Sequence, residues 1–291
     1  VNTVSNVYVQ TFENNVRHLA QQSETKLRGK VQERNVHSIT HNWERIGTIE
    51  AIAKTTRLQA TPSQDTPWSR RASTAVTFNA ADSTEQEDPV QMLVDPNSNL
   101  TRALSMAMRR QVDRLIIAAA TSDTVTVDGA GVPVAYDLGQ KIGDGTLPIS
   151  FDYITQVQEL FMQNNIDPDM PKCAVVGPTQ VRKLMQLTEQ TSSDYVNSQA
   201  LQQLNSSGIV PNWMGFTWIN STLLEAPGVG ELSCLFFTDK ALGLAVNRDI
   251  TARVAEDPSV SFAWRIYLHM TMAAARVEDE QLVWLHVADT V

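Results

Sequence analysis

Hydrophobic and polar positions change rhythm several times along this chain, and each rhythm predicts a different element. Residues 1–45 have almost no rhythm: they are rich in Gln, Asn, Arg and Glu, with a weak helical period at Val16, Leu19, Ala20 and Leu27. So little apolar surface cannot form a core, and the stretch is expected to pack on something else. "NWERIGTIEAIAKTTRLQ" alternates imperfectly and supplies one extended strand. "ATPSQDTPWSRRAS", with two prolines, a tryptophan and an Arg pair, reads as an exposed loop tip. "TAVTFNAADSTEQEDPV" adds a short strand and an acidic descent, so residues 46–94 read as one long two-stranded hairpin. Loops of that length are uncommon in a compact domain unless they bind something.

The next rhythm is helical. In "DPNSNLTRALSMAMRRQVDRLIIAAATS", Asp95 is placed as an N-cap and Pro96 as the first helical residue. Leu100, Leu104, Ala107, Met108, Val112, Leu115 and Ala119 recur at three- and four-residue spacing, with Arg102, Arg109, Arg110 and Arg114 largely off that stripe. About 25 residues at 1.5 Å each predict a rod of roughly 37 Å. Ser150 caps a second helix through Phe151, Ile154, Val157, Leu160 and Phe161; "KCAVVGP" is a buried strand and "TQVRKLMQLTEQ" a third helix. In "GIVPNWMGFTWINSTLL", Pro211 and Asn212 read as a turn, Gly215 as a tight bend, and Phe216 to Leu224 as a buried strand. Its tryptophans, Trp213 and Trp218, could line a pocket, but core or subunit contact is the better reading. "VSFAWRIYLHMTM" has period two from Val260 to Met272, a long half-buried strand, and "RVEDEQLVWLHV" is expected to be its hairpin partner.

Composition narrows the class. The 291 residues are 42% hydrophobic and 19% charged, enough for one large domain or two ordinary ones. No apolar run approaches the roughly 20 residues needed to cross a bilayer, so no membrane partner is expected. The start lacks a basic region followed by an apolar one, so no secretory signal is expected. Cys173 and Cys234 sit in apolar runs and read as small buried hydrophobes. The net charge of -9 is uneven: residues 1–75 carry +4 and the remainder -13. A basic arm on an acidic body is compatible with contact to nucleic acid or to an acidic surface, and equally with an ordinary mixed surface.

Candidate chemistry is sparse. No nucleophile elbow or phosphate-binding glycine loop occurs, and no cofactor is expected. His37 and His41, with Glu44 three residues on, could share one helical face and hold a metal, but solvated surface histidines are the stronger reading. "STEQED" and "RVEDEQ" could present paired carboxylates; solvated turns are the simpler account. These absences move the weight from enzyme to structural or binding protein.

The order of elements carries the resemblance. "TPWSRRAS" lies in the long loop, and "DPVQMLVDPNSNLTRALSMAMRRQVDRLIIAAATS" leads into a helix with Arg109, Asp113, Ile116 and Ile117 in characteristic spacing. "GIVPNWMGFTWINSTLL" and "FFTDKALGLAV" follow in turn. Together they resemble the major capsid proteins of tailed bacteriophages with the HK97-type fold. That resemblance implies an α+β architecture: an N-terminal arm (1–45), an extended loop (46–94), a peripheral domain (95–150) with a spine helix (95–121), an axial α/β domain (151–240) and a return to the peripheral domain (241–291). It implies a self-assembling shell of hexamers and pentamers around double-stranded DNA, with portal and scaffold or decoration proteins as partners, built in the host cytoplasm. Encapsulin-like compartments share the fold and remain the alternative. The expected intersubunit contacts are Trp68, Arg70, Arg71, Arg102, Arg109, Arg110 and Arg114.

Overall fold

The computed structural model describes residues 21–61, 63–85, 96–123, 125–186 and 209–289. The helical period at Val16 to Ala20, the acidic descent after Glu85, Asp95 as a cap and the last four residues of "TQVRKLMQLTEQ" lie outside them. In chain order the strands are β1 (Gln32–Asn35), β2 (Thr40–Ile46), β3 (Trp68–Thr74), β4 (Val76–Thr84), β5 (Val127–Asp128) and β6 (Lys141–Ile142). They continue with β7 (Lys172–Val176), β8 (Ile209–Trp213), β9 (Phe216–Asn220), β10 (Glu231–Thr238), β11 (Leu242–Asp257), β12 (Ala263–Arg276) and β13 (Leu282–Ala288). The helices are α1 (Pro96–Thr121), α2 (Phe151–Gln163) and α3 (Pro178–Gln186).

The chain divides into two compact units. The larger takes residues 26–76, 112–247 and 272–291; the smaller takes the described residues among 1–25, 77–111 and 248–271.

The larger unit is organised by a six-stranded mixed sheet in the order β6-β13-β10-β7-β9-β8. Its inner strands are short continuous apolar runs rather than alternating ones, as strands covered on both faces must be. Ala174, Val175 and Val176 of β7 and Leu235, Phe236 and Phe237 of β10 are all buried. Helix α2 packs Ile154, Val157 and Phe161 into the same cluster as Trp213, Phe216, Trp218 and Phe236. Ser150 Oγ accepts the Tyr153 N–H at 3.3 Å and starts that helix, as the sequence predicts. Its end is a Schellman turn: Asn165 is left-handed (φ 53°), and the Ile166 N–H reaches back to the Phe161 carbonyl at 3.1 Å.

Two readings of this region change. Pro211 and Asn212 lie within β8, and the turn is Met214–Gly215, both with positive φ (52° and 74°). A proline is tolerated because β8 is the sheet edge, and two left-handed residues are what a two-residue hairpin demands. The C-terminal strand β13 is not the hairpin partner of β12. It enters the six-stranded sheet, antiparallel to β10 and parallel to β6. Leu282, Val283, Leu285 and Val287 are all buried, so this strand requires cover on both faces.

A four-stranded sheet follows the order β1-β11-β12-β4, with β1 parallel to the first residues of β11. β12 begins at Ala263, three residues later than the alternation suggests. Val260 and Phe262 are exposed in the turn after β11, where Ser261 and Phe262 are left-handed (φ 46° and 58°). Among the described side chains of α1 the buried ones are Met106, Met108, Val112, Asp113, Ile116, Ile117, Ala119, Ala120 and Thr121. The apolar stripe predicted through Leu104 and Leu115 is therefore rotated toward Ile116 and Ile117.

Candidate functional site: an exposed loop and its root

The third sheet, β2-β3-β5, builds a hairpin whose two faces have different fates. In the antiparallel register Trp43 opposes Arg71, Glu44 opposes Arg70, and Arg45 opposes Ser69. Opposed residues share a face and alternate residues share a face, so Trp43, Arg45 and Arg71 point one way and Glu44 and Arg70 the other. On the outer face Arg70 and Glu44 form a half-exposed ion pair at 2.6 Å. On the inner face the Trp43 ring lies over Gly243, leaving no room for a side chain there: a Cβ would come within 2.5 Å of the ring. Val36, Ala245, Ala273, Ala275 and Val277 complete this cluster.

Beside it lies a charged cluster. Arg45 grips the Glu278 carboxylate through Nε and Nη2 at 3.3 and 3.1 Å. Asp279 accepts from Arg71 Nη2 on one oxygen and from Arg276 Nε, at 2.6 Å, on the other. Arg276 is fully buried; its Nη2 donates to the Val134 carbonyl at 2.9 Å, and its guanidinium sits 5.1 Å from the Tyr136 ring centre. Burial holds Arg71 below the usual arginine range; Asp279 and Glu278 oppose that, while Arg45 and Arg276 add to it.

Between the two strands runs residues 47–67, without helix or strand among the described residues. The mouth is closed by the Gly47 N–H donating to the Pro67 carbonyl at 2.8 Å. Past it the loop exposes large apolar side chains, Ile49 54%, Ile52 60% and Leu58 89%, and Trp68, the first residue of β3, is 66% exposed at its edge. β4, expected as the loop's second strand, instead joins the sheet beside β12, so the paired hairpin is β2–β3.

The arginines of α1 serve different ends. Arg109 Nη1 donates to the Ser23 carbonyl at 2.9 Å and Arg110 Nη1 to Gln21 Oε1 at 2.7 Å. Arg102 and Arg114 are exposed. In the larger unit Asp113 accepts the backbone N–H groups of Lys26 and Leu27 at 3.0 and 3.2 Å. The first described residues of the arm are thus held by their own chain, with Leu27, Val31 and Val36 buried.

The metal reading loses its geometry. His41 lies in strand β2 and His37 in the bend before it, so no helical face joins them, and Glu44 is engaged by Arg70. Burial and Arg34 lower the pKa of His41. Among the described residues no group of three or more His, Cys, Asp or Glu side chains could hold a metal ion. Trp213 and Trp218 are core residues: both are buried, their rings are 5.0 Å apart, and the Trp218 Nε1–H donates to the Trp213 carbonyl at 2.9 Å. Burial pushes the Cys173 thiol up to about 11 and the Cys234 thiol up to about 12, so neither is a ready nucleophile.

The sequence model of the phage capsid protein family matches residues 4–288. The chain belongs to the phage capsid protein family. Solved capsids share its fold at low identity. The capsid of Ralstonia phage GP4 is similar at 9% identity and a TM-score of 0.75, covering 100% of this chain and 98% of that one. Cyanophage Pam1 gives 10% identity and a TM-score of 0.74 over 99% and 98%. Mycobacterium phage Che8 gives 14% and 0.69 over 97% of each. No curated protein matches it in sequence. The capsid protein is therefore a structural subunit of a virion shell with the HK97-type fold.

Sequence reasoning about this capsid protein missed Arg45, Glu278 and Asp279. "RVEDEQ" read as a solvated turn because its partners lie more than 200 positions away. Only the period-two offset between Arg70 and Arg71 could have told the inner arginine from the outer one.

Proposed function

We propose that this chain assembles into hexamers and pentamers of an icosahedral shell around packaged double-stranded DNA, each subunit laying residues 47–67 across its neighbour. The exposure of Ile49, Ile52, Leu58 and Trp68 on a loop with no core of its own carries this reading. Apolar surface of that kind is stabilised when a second chain covers it, at roughly 25 cal/mol per Å². Contacts between different patches of like subunits close into rings, and repetition around a lattice multiplies modest contacts. Trp68 and Arg70 are the loop-side contact residues, and Arg102 and Arg114 the contacts from α1. Arg71, Arg109 and Arg110 act from within their own subunit, by holding the hairpin root and the arm.

The basic first segment faces the DNA, with unspecific and salt-sensitive phosphate contact. The subunit has no enzymatic role; portal and scaffold or decoration proteins complete the particle, which is built in the host cytoplasm. The test is replacement of residues 48–66 by a short Gly-Ser turn, which the Gly47–Pro67 closure permits. This spares Arg71, which a cut through residues 60–72 would remove. The shortened subunit should fold and sediment as a small species, whereas normal shells from it would refute the loop's role.

A further inference from the structure

The charged cluster at the hairpin root has a use that shell formation alone does not assign. Arg45 is the penultimate residue of β2 and Arg71 the fourth of β3, so they flank the two points at which the loop leaves the fold. Both are held by one turn, Glu278–Asp279, between β12 and β13. That turn is itself fixed: Arg276, fully buried, holds Asp279 from behind, and the Arg276 N–H donates to Thr126 Oγ1 at 2.8 Å. Asp279 thus uses one oxygen to hold the interior and the other to hold the loop. Glu278 repeats the grip with a two-point fork on the opposite strand, the most direction-specific pairing available to arginine and carboxylate. The pairs are largely withdrawn from solvent, with the side chains of Arg71 and Asp279 only 12% and 17% exposed, so salt screens them less than it screens Arg70–Glu44.

We infer that Arg45 and Arg71, clamped by Glu278 and Asp279, are positioning residues that hold the loop in its docking direction in the free subunit, before a neighbour is met. This rests on the reading of residues 47–67 as the intersubunit arm. A loop whose root could swivel would lose orientational freedom on docking, and its association would be slower. Three arginines against two carboxylates leave the root with an excess positive charge, so the clamp is not a simple neutral staple. The Trp43–Gly243 contact fixes where the root sits; the Arg45–Glu278 fork and the Arg71–Asp279 bond fix which way it points.

The test uses the full chain with spin labels on cysteines introduced at Leu58, in the loop, and Met162, exposed on α2. Cys173 and Cys234 are buried and stay unlabelled in the folded subunit. Arg45→Met and Arg71→Met, singly and together, leave the Arg276–Asp279 pair intact; the carboxylate that loses its arginine, Glu278, is the more exposed of the two, at 29% against 17%. The double variant should keep its thermal midpoint within a few degrees, broaden the Leu58–Met162 distance distribution at least twofold, and slow assembly about tenfold. The swap Arg45→Glu with Glu278→Arg should restore much of both properties, which a loss of general stability would not do. Should the double variant not fold, Glu278→Gln, which releases only the more exposed fork, gives the same two readouts with smaller changes. An unchanged distance distribution, or a broadened one with wild-type assembly, overturns the inference. Replacement of residues 48–66 tests the arm itself, so a failure there is distinguishable from a failure of the clamp.

Discussion

Strand β7 and the loop 47–67 both carry aliphatic side chains, and the molecule treats them in opposite ways. Ala174, Val175 and Val176 are buried between β10 and β9, with backbone pairing on both edges. Ile49, Ile52 and Leu58 face solvent on a stretch that forms no helix or strand among the described residues. Burial in the sheet region stabilises the single subunit; in the proposed reading the loop is buried only against another chain. Fold stability and assembly should therefore be separable by mutation, region by region.

The largest effect is expected in the core. Trp218→Ala removes a ring that touches Trp213, Phe216 and Phe236, and should cost about 3–5 kcal/mol. Denaturant unfolding of the unassembled subunit measures it; a midpoint near that of the wild type would mean the tryptophans are not core. Next comes the hairpin seat. Gly243→Ala drives a Cβ to within 2.5 Å of the Trp43 ring and should cost about 1–3 kcal/mol, read the same way.

A pH titration probes the sheet from another side. Burial raises the thiol pKa of Cys173 to about 11 and that of Cys234 to about 12, above the ordinary thiol range. The unfolded chain releases these protons first, so their contribution is fully present below about pH 9 and is lost as pH rises toward 11 and 12. Cys173→Ala with Cys234→Ala should flatten the alkaline fall in stability over that window.

The loop should behave in the reverse sense. Ile49→Ser, Ile52→Ser and Leu58→Ser should each change subunit stability by less than about 0.5 kcal/mol, because all three are more than half exposed. The outer ion pair gives the smallest contrast with its inner counterpart. Glu44→Gln breaks a half-exposed pair and should cost well under about 1 kcal/mol, with little effect on assembly.

The legible part of this fold was the part written in local pattern. Ser150 announced α2, Pro96 lies at the start of α1, and "KCAVVG" could only be a buried strand. What failed depended on partners distant in sequence. The alternation from Val260 to Met272 begins before β12 does, because a period of two passes unmarked through the preceding turn, which places two residues in the left-handed region. β13 looked like a hairpin partner of β12 because it comes next, yet its unbroken apolar run suits a strand covered on both faces. The charged residues were the hardest to read. Arg70 and Arg71 are adjacent and chemically alike, and one pairs in solvent while its neighbour joins a buried network. That distinction follows from strand phase, and the phase was fixed by Trp43 seating on a glycine 200 positions further along.

The separation of fold from assembly is tested most directly by electron microscopy of the purified wild type beside the Ile49→Ser, Ile52→Ser, Leu58→Ser triple variant at equal concentration. The wild type should give rings and closed shells, and the variant only folded, unassembled subunits with an unchanged unfolding midpoint. Shells of normal form from the variant, or a wild type that stays monomeric under all conditions, would contradict the account.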